Sequence, residues 1–298
     1  MARNKKLVYG ALNITIHPHS PQKYVELFKD TFRLAKTVNL GGDVYAILKF
    51  FSKTAGSTSD TDPYEGEILK YMDISKDSDW YSIATNELAT DEEKEKIVIP
   101  EHLKPNASRF SFVFLPEAHL LVYEARYNNK NLSHIQIEKF FNSLFSEDKI
   151  VDKYGVVNVT SLTAPDEVER MLSLQGIKKI TMVTRRPNPD DIHNAEQEFK
   201  ERLKRINAIE EEKTFKADRD GDITPDQELK VEALIASRNG KVTIKRQDHE
   251  GFSEELSSSD KPLKGYEIYD PNDTLPINVL LDKAKSIYDD FRQWLTKW

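Results

Sequence analysis

Residues 109–126, RFSFVFLPEAHLLVYEAR, consist of two apolar, aromatic-rich runs separated by Pro116, Glu117 and Ala118. Each run has the length and the β-branched or aromatic content of a β-strand, and the residues between them are typical of a short turn. The stretch therefore predicts a β-hairpin near the middle of the chain.

The residues before this hairpin indicate the order β-α-β-β. KLVYGALNITI (6–16) is β-rich, and apolar side chains then recur at helical spacing from Tyr24 to Ala35. Ser20 is a preferred N-cap and Pro21 suits the first helical position. Two further strands are predicted at 43–51 and 66–74.

After the hairpin, Ser133 is expected to cap a helix with Ile137, Phe140 and Phe141 facing inward. A strand (YGVVNVTSL, 154–162), a short helix and a second strand (IKKITMVT, 177–184) follow. The segment between these two strands has about the dozen residues that a crossover between parallel strands needs. This segment therefore predicts a β-α-β unit with parallel strands.

The last third of the chain is more polar. We expect a long charged helix from 189 to about 213, a helix at 225–237, a strand at 240–246 and a mobile loop at 250–265. Residues 276–298 have the apolar spacing of a long amphipathic helix. The predicted class is mixed α+β, with central mixed sheets and flanking helices. The predicted organisation is either two lobes, 1–126 and 127–298, or one continuous domain.

Composition excludes several classes of protein. The 298 residues contain no cysteine, which excludes disulfides, thiolate zinc sites and cysteine nucleophiles. No window approaches the ~20 apolar residues that span a bilayer, and no signal-type segment begins the chain. We therefore expect a cytoplasmic protein that does not enter a membrane. The net charge is −7, with thirteen acidic residues against four lysines in segment 60–101.

TRRPNPDD (184–191) follows the second strand of the predicted β-α-β unit. Helix capping alone accounts for Asn188, Pro189, Asp190 and Asp191. A functional interpretation adds that arginines at the end of a parallel strand lie where open α/β sheets bind ligands. Arg185 and Arg186 are therefore candidate phosphate ligands, although neighbouring strand residues point to opposite faces.

Other basic residues favour contacts with a nucleic-acid backbone. Lys200 and Lys204 lie at i, i+4 spacing in the charged helix, and Lys241, Lys245 and Arg246 belong to the strand GKVTIKR. Such residues bind phosphates without reading bases. A solvent-exposed face with charges of both signs explains the same pattern, because glutamates are interleaved with the lysines.

His17 and His19 form an H-x-H pair suited to acid–base chemistry, and Asp190 and Asp191 are further candidates. A two-histidine phosphoesterase needs a second such pair, and the other five histidines are isolated in the sequence. A proline-containing turn between a strand and a helix explains the pair equally well. No nucleotide-binding, hydrolase or metalloprotease motif occurs, so we expect neither a cofactor nor a metal site.

Three segments together resemble a known family: ALNITIHPHSPQKYVELF (11–28), RPNPDD (186–191), and NGKVTIKRQDHEG with SSSDKPLKGYEIYDP (239–251 and 257–271). They are similar to the bacterial family of domain of unknown function 4747. The resemblance assigns no catalytic residue. It implies an accessory role, such as defence against phage or another invading element.

Three functions are therefore expected in order of preference. The first is an anti-phage or accessory protein that binds nucleic acid or another phosphate-bearing ligand. The second is a non-catalytic subunit that binds a protein partner, or a second copy, through the C-terminal helix and the acidic segment. The third is a nuclease.

Overall fold

The computed structural model describes residues 4–187, 194–219, 221–247 and 250–296, without the side chains of 194–196 and 291–296. Within these residues the chain forms eight α-helices and fifteen strands. The helices are α1 (Pro21–Arg33), α2 (Asp91–Glu95), α3 (His134–Phe145), α4 (Asp148–Tyr154), α5 (Pro165–Leu172), α6 (Asn194–Arg205), α7 (Gln227–Asn239) and α8 (Pro276–Thr296). The strands are β1 (Lys5–Thr15), β2 (Thr37–Gly41), β3 (Val44–Lys53), β4 (Tyr64–Met72), β5 (Tyr81–Ser82), β6 (Glu87–Leu88), β7 (Ser108–Leu115), β8 (Leu120–Tyr127), β9 (Lys130–Asn131), β10 (Asn158–Ser161), β11 (Ile177–Arg185), β12 (Glu210–Lys216), β13 (Gly240–Gln247), β14 (Ser253–Ser257) and β15 (Lys264–Tyr269).

The larger sheet has nine strands and the main order β10-β1-β8-β7-β4-β3-β2. Strand β9 pairs antiparallel with the end of β8, and β15 pairs with β1. Because β1 is eleven residues long, one of its edges holds both β15, along Lys5–Gly10, and β10, along Leu12–Thr15. Its other edge pairs with β8 of the central hairpin.

Alternation along β7 shows how this sheet is covered on both faces. Phe110, Phe112 and Phe114 point into an aromatic core beneath α1, α3 and α4. Val113 and Leu115 point to the other face, where α8 packs. The C-terminal helix therefore closes the second face of the sheet.

The smaller sheet has the order β12-β11-β13-β14, with every neighbouring pair antiparallel. Ile180 of β11 and Val242 of β13 are fully buried against α5 and α7. This third core is separate from the two cores of the larger sheet.

Several expectations are confirmed. The protein is mixed α+β, and the central hairpin forms as β7 and β8. Ser20 caps α1 by accepting the Lys23 amide hydrogen, and Ser133 forms a capping box with Gln136 at α3. The long C-terminal helix is α8, in which Leu280 and Ala284 are fully buried.

No helix among the described residues is long and apolar enough to cross a membrane.

The predicted parallel β-α-β unit is wrong, and so is the expectation of mixed parallel and antiparallel sheets. Strand β10 pairs antiparallel with β1 in the larger sheet, whereas β11 belongs to the smaller one. The reason is the helix between them: Val168, Met171 and Leu172 of α5 are buried in the core of the smaller sheet. The crossover therefore connects two sheets.

Two other assignments also change. The helix predicted to extend to about 213 ends at Arg205; Asn207 adopts a left-handed φ of 56°, and 210–216 becomes β12. The predicted loop 250–265 contains β14, a short 3₁₀ helix (Ser258–Asp260) and the start of β15. Strand β12 pairs with β11, β14 pairs with the preceding strand β13, and β15 pairs with β1. The pairings with β11 and β1 join segments that lie far apart in the sequence, which a local pattern does not reveal.

The division into 1–126 and 127–298 stays a prediction. Strands β10 and β15, which follow residue 126, pair with β1, and α8 packs against β7 and β8. Elements from both parts of the chain thus build the larger sheet.

Candidate phosphate-binding face and histidine cluster

One side of the smaller sheet faces away from its helices. Lys179 and Thr181 alternate with Ile180 and Met182, which are buried in the core. Because successive side chains of a strand point to opposite faces, the residues between the core positions form the outer side. Lys216, Lys241 and Lys245 on this side are exposed.

The strand register arranges the outer side chains in rows. Lys216, Lys179 and Lys245 lie directly opposite one another on β12, β11 and β13. In the next row Thr214, Thr181 and Thr243 face one another, and Ser257 of β14 continues the row. A row of amines therefore lies beside a row of hydroxyls, and both groups donate hydrogen bonds to phosphate oxygens.

Few of these amines are neutralised. Lys245 forms an ion pair with Glu255, with 2.7 Å between Nζ and Oε2. Lys179, Lys216 and Lys241 make no salt bridge within the described ranges. The pKa of the Glu255 carboxyl is lowered by Lys245 and also by Lys179 and Lys241. We call the side chains Lys179, Arg185, Lys216, Lys241 and Lys245 the basic face.

Arg185 and Arg186 have different environments. The Arg185 Nε lies 3.2 Å from Glu210 Oε2, and both side chains are partly exposed. Arg186 donates from Nη2 to the Ala208 carbonyl at 2.7 Å, and its Nε is buried without a hydrogen-bond partner. Both arginines line a cavity of about 220 Å³ with His17. Their predicted phosphate contacts stay a prediction.

The other predicted cations lie away from the basic face. Glu211 lies between the outward positions of β12, so its side chain points to the helical side of the sheet. Arg202 of α6 contacts Glu211, and α6 therefore lies on that side. Lys200 and Lys204 belong to this helix. Arg246 pairs with Glu254 at 2.8 Å and also lies outside the rows. The structure therefore groups Lys241, Lys245 and Arg185 but separates Lys200, Lys204 and Arg246 from them.

The predicted histidine pair lies beside a third histidine. His17 donates from Nε2 to the Arg186 carbonyl at 2.9 Å, which connects the turn after β1 to the end of β11. The ring centroids of His19 and His119 are 6.2 Å apart. His119, in the turn of the β7–β8 hairpin, is 3% exposed and has a left-handed φ of 43°. We call His17, His19 and His119 the histidine cluster.

Asn13 orients the imidazole of His119. Its side-chain Nδ2 donates to the Arg238 carbonyl at 3.1 Å, so its Oδ1 is the acceptor for His119 Nδ1 at 2.8 Å. This tautomer leaves a lone pair on His119 Nε2, which is buried without a hydrogen-bond partner. A non-glycine residue held at positive φ is a feature of sites where local strain has a role.

The imidazoles of His17 and His119 are neutral at neutral pH. Burial, together with the nearby Arg186, Lys200 and His19, lowers the pKa of His17 to about 4. Burial and the Arg238 charge lower the pKa of His119 well below its usual range. A neutral imidazole has a lone pair available as a base or a ligand. However, the described part of the chain contains no group of three His, Cys, Asp or Glu residues able to hold a metal ion.

The sequence did not reveal the additional members of either site. His119 lies 106 positions from Asn13, and only the pairing of β1 with β8 brings them together. Lys179 and Lys216 join Lys245 through strand register alone. Asp190 and Asp191, the other acid–base candidates, lie outside the described residues, as does most of RPNPDD.

The chain matches a protein-family model. No curated protein matches the chain. The family model described as Domain of unknown function (DUF4747) matches residues 5–285, from the first residue of β1 into α8, and so covers both sheets. The chain belongs to the DUF4747 family.

Proposed function

We propose that the protein binds the sugar-phosphate backbone of nucleic acid across its basic face. The observation that supports this proposal is the row Lys216, Lys179 and Lys245 on three adjacent strands. Like charges directly opposite one another destabilise a sheet. A bound polyanion removes that repulsion, and release of its counterions favours association.

The chemistry of the face indicates contacts with phosphates instead of bases. Its outward strand positions contain lysine, threonine, valine, serine, glutamate and arginine but no aromatic residue. Single-strand binding that depends on base stacking needs aromatic side chains. We therefore propose binding that is independent of sequence and sensitive to salt.

Replacing Lys179, Lys216 and Lys241 together by glutamine is expected to weaken duplex binding at low salt by roughly 10–100-fold. The slope of the logarithm of the binding constant against the logarithm of the salt concentration should become less steep by about 2–3, since each phosphate contact contributes about 0.9 to this slope. Fluorescence anisotropy with a labelled 20-base-pair duplex over a KCl series measures both quantities.

Lys49→Gln is the matched control, because Lys49 is an exposed strand lysine of the larger sheet. It should leave affinity and salt dependence unchanged. Wild-type binding that does not vary with salt, or an equal loss in the control, contradicts the proposed interface.

The biological setting is part of the same proposal. We place this binding in a cytoplasmic anti-phage or accessory system, which the absence of cysteine and the family resemblance support. The alternative of a non-catalytic subunit that binds a partner through α8 has weaker support, because Leu280, Ala284 and Ile287 are already buried against the sheet.

A second candidate function is phosphodiester hydrolysis, favoured by the buried lone pair of His119 beside His19 and Arg238. His119→Asn should lower cleavage of single-stranded RNA or DNA by about 100-fold, the usual contribution of a general base. Asparagine also tolerates positive φ, so the melting temperature should change little.

His102→Asn, at an exposed position, is the control and should retain the wild-type rate. Absence of cleavage by the wild-type protein, or full activity of His119→Asn, excludes this second function. Gel analysis of end-labelled oligonucleotides distinguishes the outcomes.

A further inference from the structure

A cavity of about 590 Å³ lies on the larger sheet at the start of α3. Its floor is formed by β1 and β8, including Val8, Gly10 and Tyr123, and its far wall by β15. Leu132, Ser133 and His134, at the start of α3, form another part of the wall. The volume is within the range of about 300–1,000 Å³ that small-molecule sites occupy.

The charged residues that line this cavity have one sign. Lys6, Arg126 and Lys264 line it, and no aspartate or glutamate does. None of the three cations forms a salt bridge with any residue that the structure describes. Unneutralised cations around a concave surface attract an anion, and the low-dielectric walls concentrate the field.

The cavity also contains aromatic surface. The Lys6 Nζ lies 3.8 Å from the centre of the Tyr266 ring, which is 57% exposed. Lys264 and Tyr266 lie on the same face of β15, and Gly265 lies between them. Because Gly265 has no side chain, the Tyr9 ring fits on the opposite face. Lys6 covers one face of the Tyr266 ring, so a planar ligand ring stacks on the face that Lys6 leaves open while its anionic group contacts Lys6 and Lys264.

Tyr123 provides a hydrogen-bond donor inside the cavity. It is 3% exposed, and its ring lies over Gly10, where a β-carbon would be only 2.6 Å from the hydroxyl oxygen. The hydroxyl makes no hydrogen bond with the described residues. Burial raises the pKa of Tyr123, so the hydroxyl keeps its proton at neutral pH and donates to a polar ligand atom.

We propose that this cavity binds a free nucleoside monophosphate, with its base against Tyr266 and its phosphate among Lys6, Lys264 and Arg126. The site does not depend on the N-terminus of α3, where Ser133 and Gln136 already cap each other. It is also distinct from the basic face, since it shares no residue with it. Loss of one binding activity does not imply loss of the other.

Isothermal titration calorimetry with AMP, GMP, CMP and UMP tests the proposal on the full chain. The double variant Lys6→Gln with Lys264→Gln should weaken binding of the best monophosphate by roughly 10–100-fold, as expected for lost charge-assisted hydrogen bonds. Tyr123→Phe should weaken it by roughly 2–10-fold, because it removes one neutral hydrogen bond. Lys49→Gln should have no effect, and thermal denaturation verifies that each variant is folded.

Additional ligands distinguish a site for a nucleoside monophosphate from a site for a nucleoside alone or for phosphate alone. The matching nucleoside without phosphate should bind at least roughly tenfold more weakly, and inorganic phosphate alone should also bind more weakly. The proposal is overturned if none of the four monophosphates binds at millimolar concentration, if inorganic phosphate binds equally well, or if the double variant retains full affinity. Tighter binding of a 5′-phosphorylated oligonucleotide than of any free monophosphate also overturns it, because the site then serves a strand end.

Discussion

Replacing Phe28 by alanine is expected to lower the free energy of unfolding by about 3–5 kcal/mol, the usual cost of removing a buried phenylalanine. Phe28 is fully buried on the inner face of α1. Its ring centroid lies 4.4 Å from that of Phe114, 5.1 Å from that of Phe51 and 5.6 Å from those of Phe141 and Phe145. The ring therefore joins the sheet to α3, and its loss leaves a cavity that close-packed neighbours fill only in part.

Phe32→Ala is the matched control, because Phe32 lies one turn later on the same helix but is 37% exposed. Its cost should be below about 1 kcal/mol, the range for partly exposed positions. Urea unfolding followed by circular dichroism measures both variants. Equal effects at the two positions contradict a single aromatic core beneath α1.

The sequence predicted the elements whose signals are local. Ser20, Pro21 and the apolar spacing of α1 all lie within one segment, and the capping box at Ser133 likewise depends on residues three positions apart. The central hairpin was also predictable, because its two strands flank a turn of a few residues. In these cases the local preference and the tertiary packing agree.

The arrangement of strands was not predictable in the same way. The spacing between β10 and β11 suits a parallel crossover, yet the buried face of α5 directs β11 into another sheet. The place of strand β15 beside β1 depends on a partner more than 250 positions earlier. Pairing over such distances depends on which surfaces are complementary, and a single sequence does not display that.

The candidate sites show the same distinction. Lys241, Lys245 and Arg246 were identified as the basic residues of one predicted strand, and the structure keeps only the two lysines on the basic face. Lys179 and Lys216 complete the basic face only through register. His119 was set aside as isolated in the sequence, but the pairing of β1 with β8 places it beside His19.

Glu124 of β8 is a buried carboxyl without a cationic partner among the described residues. It is 7% exposed, and its Oε2 accepts a hydrogen bond from the Ser111 amide at 3.4 Å. Burial disfavours the charged form and raises the pKa of this carboxyl to about 7, against 4.5 ordinarily. The folded protein therefore binds a proton here that the unfolded chain has lost.

This difference makes stability depend on pH. Between pH 4.5 and about 7 the folded state holds more protons at Glu124 than the unfolded state does, so the free energy of unfolding falls as pH rises. This decrease in the free energy of unfolding is complete above about pH 7 and amounts to roughly 3 kcal/mol. Glu124→Gln, which is never charged, should match the wild type at pH 4.5 and exceed its stability by about 2–3 kcal/mol at pH 8.5.

The difference between variant and wild type isolates this carboxyl from the histidines. His17, whose pKa is lowered to about 4, acts in the opposite direction, because the unfolded chain gains a proton there below pH 6.5. That contribution is common to both proteins and cancels when their unfolding free energies are subtracted at each pH. Glu87→Gln, at an exposed strand position, should change stability by less than about 0.5 kcal/mol at either pH. If Glu124→Gln also gives a constant difference across this range, Glu124 is ionised in the folded protein and its side chain must reach water or a cation.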